Sequence, residues 1–403
     1  MKLGARLAIP LLLFASSLSG QAVCRPPWKL EETFRMGAVD GPAALTSVQD
    51  FDLDREGRMY VPQTFGVAVF DAGGRPLAPI GRIGQGPGEF EVGARWLGWR
   101  GDTLWVTDLR STHFFNRDGN EAYKVTFRTP VGTEGTFAPR TPLADGSFLG
   151  DRSLSGNTIG PFMSAERLPL LRFSRAGAVL DTIAWASWSA PRTVKVGGGM
   201  LDHPLQDWSF RALGESLLPV VATPDGSAVV LIGDIREENE APSLLDLIGL
   251  PVRALGSFDL LKIGIGGDTI LNSTLPFEPK PVTKAWQDWL REAFSGSYAG
   301  AAEAREAITF PEFLPPVRQI VAGQDGTVWL LRELREDRAD LWEIYDERGD
   351  LTGSVLITDG RSAPRPWSPR LQVLRATLDE VWGTKLDDLD APTIHRYRIV
   401  KSC

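Results

Sequence analysis

The sequence predicts an all-β chain folded as a six-bladed β-propeller of four-stranded antiparallel blades. Three observations carry the prediction. A Gly- or Asp-bounded turn opening a short β-rich run recurs six times, a second hairpin follows it in most copies, and the first turn glycines, Gly57, Gly101 and Gly146, stand 44 and 45 residues apart, the period of a propeller blade.

The six copies of the first hairpin begin at Glu56-Gly57-Arg58-Met59-Tyr60-Val61, Gly101-Asp102-Thr103-Leu104-Trp105-Val106 and Asp145-Gly146-Ser147-Phe148-Leu149. They continue at Asp225-Gly226-Ser227-Ala228-Val229-Val230, Asp325-Gly326-Thr327-Val328-Trp329-Leu330 and Leu378-Asp379-Glu380-Val381-Trp382. Asp-Gly supplies the positive φ that a tight turn between twisted strands requires. Alternating runs such as Val48 to Leu53 and Val317 to Val321 precede the turns, and their period of two marks them as inner strands.

The second hairpin reads from Val67-Ala68-Val69-Phe70 through Asp71-Ala72-Gly73-Gly74 to Leu77. Its counterparts turn at Arg117-Asp118-Gly119, Arg175-Ala176-Gly177 and Glu347-Arg348-Gly349, and the least regular copy runs from Phe258 to Ile265, turns at Gly266-Gly267-Asp268 and continues from Thr269 to Leu271. Later turns are separated by 80, 100 and 53 residues, so the reading requires insertions, placed at about 185–211 and 234–316.

The last unit supplies strands at about Leu371 to Ala376, Val381 to Leu386 and Ile394 to Val400, and then the sequence stops. Trp28 to Arg35 is the expected fourth strand, closing the seam that an unpaired edge would leave. Antiparallel pairing there would set Cys24 beside Cys403, the two cysteines of the sequence, as a candidate disulfide in an oxidising compartment. Two unpaired terminal thiols are the other reading.

Residues 1–22 read as a secretory signal: Lys2 and Arg6 precede the apolar run Leu7 to Leu13, and Gly20-Gln21-Ala22 is a small-x-small cleavage site. The run is broken by Pro10 and is shorter than the ~20 residues that span a bilayer. No other segment is a spanning candidate, so the expectation is an exported protein, periplasmic or extracellular, with residues 23–403 forming one ring and no transmembrane segment. Gln21-Ala22-Val23 ahead of Cys24 departs from the Leu-(Ala/Ser)-(Gly/Ala) of lipoprotein signals, which disfavours lipid anchoring. Composition agrees with a filled core and many turns, at 43% hydrophobic residues with 42 Gly, 29 Pro and 13 Trp. A net charge of −8 excludes a nucleic-acid-binding electrostatic footprint.

The segment Gly81-Arg82-Ile83-Gly84-Gln85-Gly86-Pro87-Gly88-Glu89-Phe90 resembles the inter-blade crossing of NHL-type repeats, and especially the bacterial family of six-bladed β-propeller proteins. The motif occurs once in full, and weaker blade periodicity covers nearly all of residues 23–403. The resemblance implies a fold and little chemistry. A phosphate loop is excluded, because Gly-Lys-Ser/Thr opening a helix is missing and the segment leads into a strand.

Candidate chemistry is sparse. His113 and His395 fall near the start of third strands, away from the axis, where an inter-blade role outweighs metal ligation. His203 lies in an insertion and is a candidate for facing a ligand. Asp50, Asp52 and Asp54 alternate along one inner strand, and Asp387, Asp388 and Asp390 cluster in a late turn; either set offers oxygens to calcium, but neither has a calcium-loop spacing, and solvated turn carboxylates are the plainer reading. Were the resemblance to extend to calcium-dependent lactonases, several inner strands would each contribute an Asp, Asn or Glu. No Gly-x-Ser-x-Gly elbow is present.

Function is therefore expected in the insertions. Thr283 can cap a helix through Trp286, Trp289, Leu290 and Phe294, whose spacing makes an apolar face, and Trp185, Trp188, Gly197-Gly198-Gly199 and Trp208 of the first insertion are the expected facing wall. The candidate ligand or partner surface is Trp286, Trp289, Trp208 and His203, recognising a protein, peptide or glycan without catalysis. The alternative is a metal-dependent propeller hydrolase or lyase with its site on the central axis.

Overall fold

The computed structural model describes residues 27–37, 40–41, 43–108, 111–127, 136–153, 167–187, 193–196, 201–204, 220–237, 256–285, 287–288, 313–334, 339–358 and 370–401. They form six radial antiparallel sheets. Blade 2 comprises Trp96–Arg100, Thr103–Thr107, Ser111–Phe115 and Glu121–Thr126; blade 3, Thr136–Pro142, Phe148–Ser153, Arg167–Phe173 and Val179–Ser187. Blade 4 comprises Val220–Ala222, Ala228–Glu237, Gly256–Gly264 and Thr269–Phe277; blade 5, Gln319–Ala322, Val328–Leu334, Ala339–Tyr345 and Leu351–Thr358. Blade 1 has Asp52–Leu53, Met59–Gln63 and Gly66–Phe70, with its outer strand reduced to the bridges Phe70↔Pro76 and Val67↔Ile80.

Blade 6 is completed from the other end of the chain, as expected. Gln372–Ala376, Glu380–Leu386 and Pro392–Val400 are joined at the outer edge by Lys29–Met36. This closing strand pairs antiparallel with Pro392–Val400, Lys29 facing Val400 and Met36 facing Ile394. Cys24 and Cys403 lie outside the described residues, but the register brings the chain ends to the same corner.

Six apolar clusters fill the six gaps between neighbouring blades. One layer holds the ring together because second strands are buried on both faces, with successive side chains turned to opposite neighbours. In blade 5, Trp329 and Leu331 pack toward blade 6 while Val328 and Leu330 pack toward blade 4. In blade 4, Val229 and Leu231 meet blade 3 while Val230 and Ile232 meet blade 5. Tyr60, Val67 and Val69 meet Leu104 and Val106 across blades 1 and 2; Trp105 and Phe114 meet Phe148 and Phe173 across blades 2 and 3. The seam is sealed by Met59, Val61 and Phe70 of blade 1 against Met36, Trp382 and Ile394 of blade 6.

The tight turns all fall on one face. Turns joining first to second strands, and third to fourth, place glycines at positive φ, from +60° at Gly101 to +87° at Gly326. An Asp, Asn or Ser at the head of each turn accepts backbone N–H groups two or four residues on, as Asp71 does from Gly73 and Arg75 and Asp346 from Arg348 and Asp350. Antiparallel alternation sends the remaining connections to the opposite face. Those around 154–166, 188–219, 238–255, 278–318 and 359–371 are the long ones, and all of them leave and rejoin the ring there.

Both expected insertions are more finely divided than their intervals. Trp185 belongs to the outer strand of blade 3, opposite Pro169, so the first excursion starts after Ser187 and contains a small hairpin, Thr193–Val196 with Leu201–Pro204. The interval 234–316 contains the end of the second strand of blade 4 and both of its outer strands, leaving excursions at 238–255 and from 278 onward. The expected helix begins where Thr283 places it, with Gln287 N donating to Thr283 O at 3.0 Å and Lys284 pairing with Asp288 at 3.2 Å. No helix among the described residues is long and apolar enough to cross a membrane.

Candidate functional site

The six inner strands enclose an axial cavity of ≈ 350 Å³. Its wall includes Gln49, Asp50 and Asp52 of blade 1, Trp96 to Arg100 of blade 2, Thr223 of blade 4, Gln319 of blade 5 and Arg375 of blade 6. An inner strand has an unpaired edge facing the axis, and its backbone groups need partners.

Several of these partners come from the next blade. Asp50 accepts Leu97 N at 3.2 Å and Asp52 accepts Trp99 N at 2.6 Å, so two carboxylates of blade 1 clasp alternate N–H groups of blade 2. Gln319 Nε2 donates to Val373 O at 2.8 Å, and Arg100 Nη2 donates to Pro142 O. Arg375 closes the sequence by pairing with Asp52. Asp50 and Asp52 therefore share a face, as their alternation implies, but they are wall-building groups and not solvated ones. Asp54 belongs to the turn, where it holds Arg58 at 2.6 Å and accepts Tyr60 Oη–H at 3.0 Å.

Burial perturbs this wall. Desolvation pushes Asp50 up to about 7, against the lowering effect of the Leu97 and Phe51 N–H groups and of Arg375. Burial likewise pushes Arg375 down to about 10, opposed by Asp50 and Glu380. Desolvation also lowers Arg100, with Asp225 and Asp145 acting the other way.

His113 and His395 sit in third strands, in inter-blade positions. His113 is fully buried, with Nδ1 2.7 Å from Glu121 and Nε2 3.4 Å from Asp108. The same two acids hold the glycine-rich crossing: Glu121 accepts Gly88 N at 2.7 Å and Asp108 accepts Glu91 N at 3.2 Å. Phe90 lies edge-on to the imidazole at 4.8 Å, and Glu89 closes the loop on Gly86 N and Arg82. The segment is a crossing wired into blade 2, which accounts for its glycines: at Gly81, φ is +71° and a Cβ would stand 2.8 Å from Gly88 O and against the Phe90 ring. His395 bonds Glu32 of the closing strand at 2.9 Å and Thr393 at 2.8 Å; desolvation lowers its pKa and Glu32 opposes this.

The other candidates are not brought together here. His203 faces Val194 in the small hairpin by backbone register, and Trp208, Trp286 and Trp289 lie outside the described residues. In the late cluster, Asp387 caps its own turn by accepting Leu389 N and Ala391 N. Among the described residues no three His, Cys, Asp or Glu side chains gather as metal ligands. Sequence reasoning missed Arg100 and Arg375, whose partners lie in other blades; only their placement at the ends of inner-strand runs hinted at an axial position.

The fold and its channel define a six-bladed β-propeller with a polar, aromatic-walled axis. No protein-family model matches the chain, and no curated protein matches it. Among solved structures it is similar to a candidate exported protein of Bacteroides fragilis, at 12% identity over 93% of this chain and 96% of that one, with a TM-score of 0.45. It is also similar to the calcium-binding protein regucalcin of Agrobacterium tumefaciens, at 10% identity over 92% and 96%, TM-score 0.37. PorZ, a surface component of the type-IX secretion system of Porphyromonas gingivalis, aligns at 12% identity over 86% of this chain and 38% of that one, TM-score 0.35. Similarity at this level says nothing about ligand, partner or activity.

Proposed function

We propose that this chain is an exported, NHL-like propeller that binds a protein, peptide or glycan without catalysis, through the face bearing its long connections. The observation that carries the reading is the asymmetry of the ring: the opposite face has only tight, internally capped turns, whereas every long excursion departs from one side. A rigid ring with variable segments gathered on one face is the usual arrangement of a recognition scaffold. The alternative, a metal-dependent hydrolase or lyase on the axis, is less well supported, because Asp50 and Asp52 are engaged by backbone N–H groups and Arg375.

The test is binding to immobilised peptide and glycan arrays, followed by titration of the best hit against variants in which 238–255 or 188–219 is replaced by a short Gly-containing turn. The reading expects affinity to fall by about tenfold or more while the melting temperature holds, the loss expected when anchor contacts are removed. Undiminished affinity in both variants would sink it, and metal-dependent turnover of an array ligand would favour the alternative.

A further inference from the structure

The axial wall holds a cation that the ring does not neutralise. Arg100 ends the inner strand of blade 2 at the tight-turn face, and its guanidinium lies across the Gly226 turn of blade 4, where a Cβ would stand 2.7 Å from Cζ. Nη2 donates to Pro142 O of blade 3, but Nε and Nη1 are buried and meet no acceptor. The acids whose charge reaches it are Asp225 and Asp145, and neither forms an ion pair with it. Asp145 is engaged by Ser147 and Arg172, and Asp225 by Thr223 and Ser227. Arg375, in the same cavity, shows the contrast, since it has Asp52. A charge taken out of water with donors unmet is unfavourable unless an anion joins it.

The same side of that strand carries two more features. Trp96, Gly98 and Arg100 alternate, so all three face blade 3. Trp105 pairs with Gly98 across the hairpin, and its indole lies 2.7 Å from where a Gly98 Cβ would be. The missing side chain thus admits the second-strand indole to the cavity lining, beside Trp96. The row runs indole, indole, guanidinium from the connection face to the tight-turn face. Gln49 and Gln324, both exposed in the lining, offer amides to hydroxyl groups. Indole faces take the apolar side of a ring and a guanidinium takes a carboxylate. A cavity of ≈ 350 Å³ lies at the small end of ligand pockets.

We propose that the axial channel binds a small carboxylate-bearing ring compound of the uronic-acid kind, its carboxylate on Arg100 and its ring over Trp96 and Trp105. This site is separate from the connection face and does not depend on what that face binds.

The experiment is calorimetric titration of the purified exported protein with glucuronate, and with glucose and acetate as the ring-only and carboxylate-only probes. Saturable binding of glucuronate is expected, with glucose and acetate each weaker by about tenfold or more, the size of a lost charged or stacking contact. Arg100→Gln should weaken glucuronate by about tenfold or more, Arg100→Lys by less. Trp96→Leu, at a partly exposed position, supplies a second variant should Arg100→Gln fold poorly, and should also weaken binding by about tenfold. Absence of glucuronate binding at millimolar concentration, glucose binding as tightly as glucuronate, or affinity unchanged in Arg100→Gln or Trp96→Leu would each overturn the proposal. Variants of 188–219 and 238–255 should leave glucuronate affinity intact, which separates this site from the proposed binding face.

Discussion

Replacing Asp50 by Asn should make the ring more stable at neutral and alkaline pH and less dependent on pH below it. An aspartate in the unfolded chain gives up its proton near 3.8, whereas burial in the axial wall holds the proton of Asp50 to about 7. Between those values the folded state binds a proton that the unfolded state has lost, so this group's contribution to stability falls as pH rises through the window. The full shift corresponds to about 4 kcal/mol; because Asp50 is partly open to the channel and has Arg375 nearby, the expected loss is about 1–3 kcal/mol. The substituted amide stays neutral throughout, and its oxygen can still accept the Leu97 or Phe51 N–H. Urea unfolding of both proteins from pH 4 to pH 8 gives the difference directly. Asp54, Asp145, Asp225, Asp259 and Glu32, whose pKa values are lowered, and Asp340, raised by burial to about 6, remain in both proteins and largely cancel. The difference should open in favour of Asp50→Asn from about pH 4 to pH 7 and then level off. A flat difference curve, or one favouring the wild type at pH 8, would refute the reasoning.

Two further substitutions probe other links. Gly81→Ala should destabilise the protein by about 2–4 kcal/mol, combining left-handed strain with a clash against Gly88 O and Phe90, whereas Gly101→Ala, at positive φ but with open space around it, should cost only about 1–2 kcal/mol; equal losses in urea titration would show that the crossing is loosely packed. If Cys24 and Cys403 are joined, thiol titration of the denatured, unreduced protein should find no free thiol, and Cys403→Ser should lower stability by about 4–5 kcal/mol in the chain-entropy model; two titratable thiols would reject the staple.

The blades were legible because their signals are local. Gly57, Gly101, Gly146, Gly226 and Gly326 all occupy the positive φ that their turns require, and each is followed by a run buried on both sides. The closing strand was legible from a deficit: the last unit lacked an outer strand and Trp28 to Arg35 could supply it, as Lys29–Met36 does. The axial wall was opaque for the opposite reason. Asp50 and Asp52 bond backbone 47 residues away, and Arg100 reaches a turn of blade 4; such partners depend on ring geometry that no local pattern records. The pairing of Asp50 with a neighbouring edge turns an apparent cation ligand into a strand clasp. His113 stood between: Glu121 lies across a short hairpin and was within reach of sequence reasoning, but the link from Glu121 to Gly88 was not.

A closed ring, sealed by pairing an N-terminal strand with the last blade, underlies both the binding face and the axial channel. Amide hydrogen exchange of the folded protein tests it most directly, by following the closing strand Lys29–Met36 and its partner Pro392–Val400 with residue resolution. In a sealed ring the paired amides of both strands exchange slowly and together, at rates near those of the buried second strands. Exchange of Lys29–Met36 at the rate of unstructured chain, with Pro392–Val400 still protected, would contradict it.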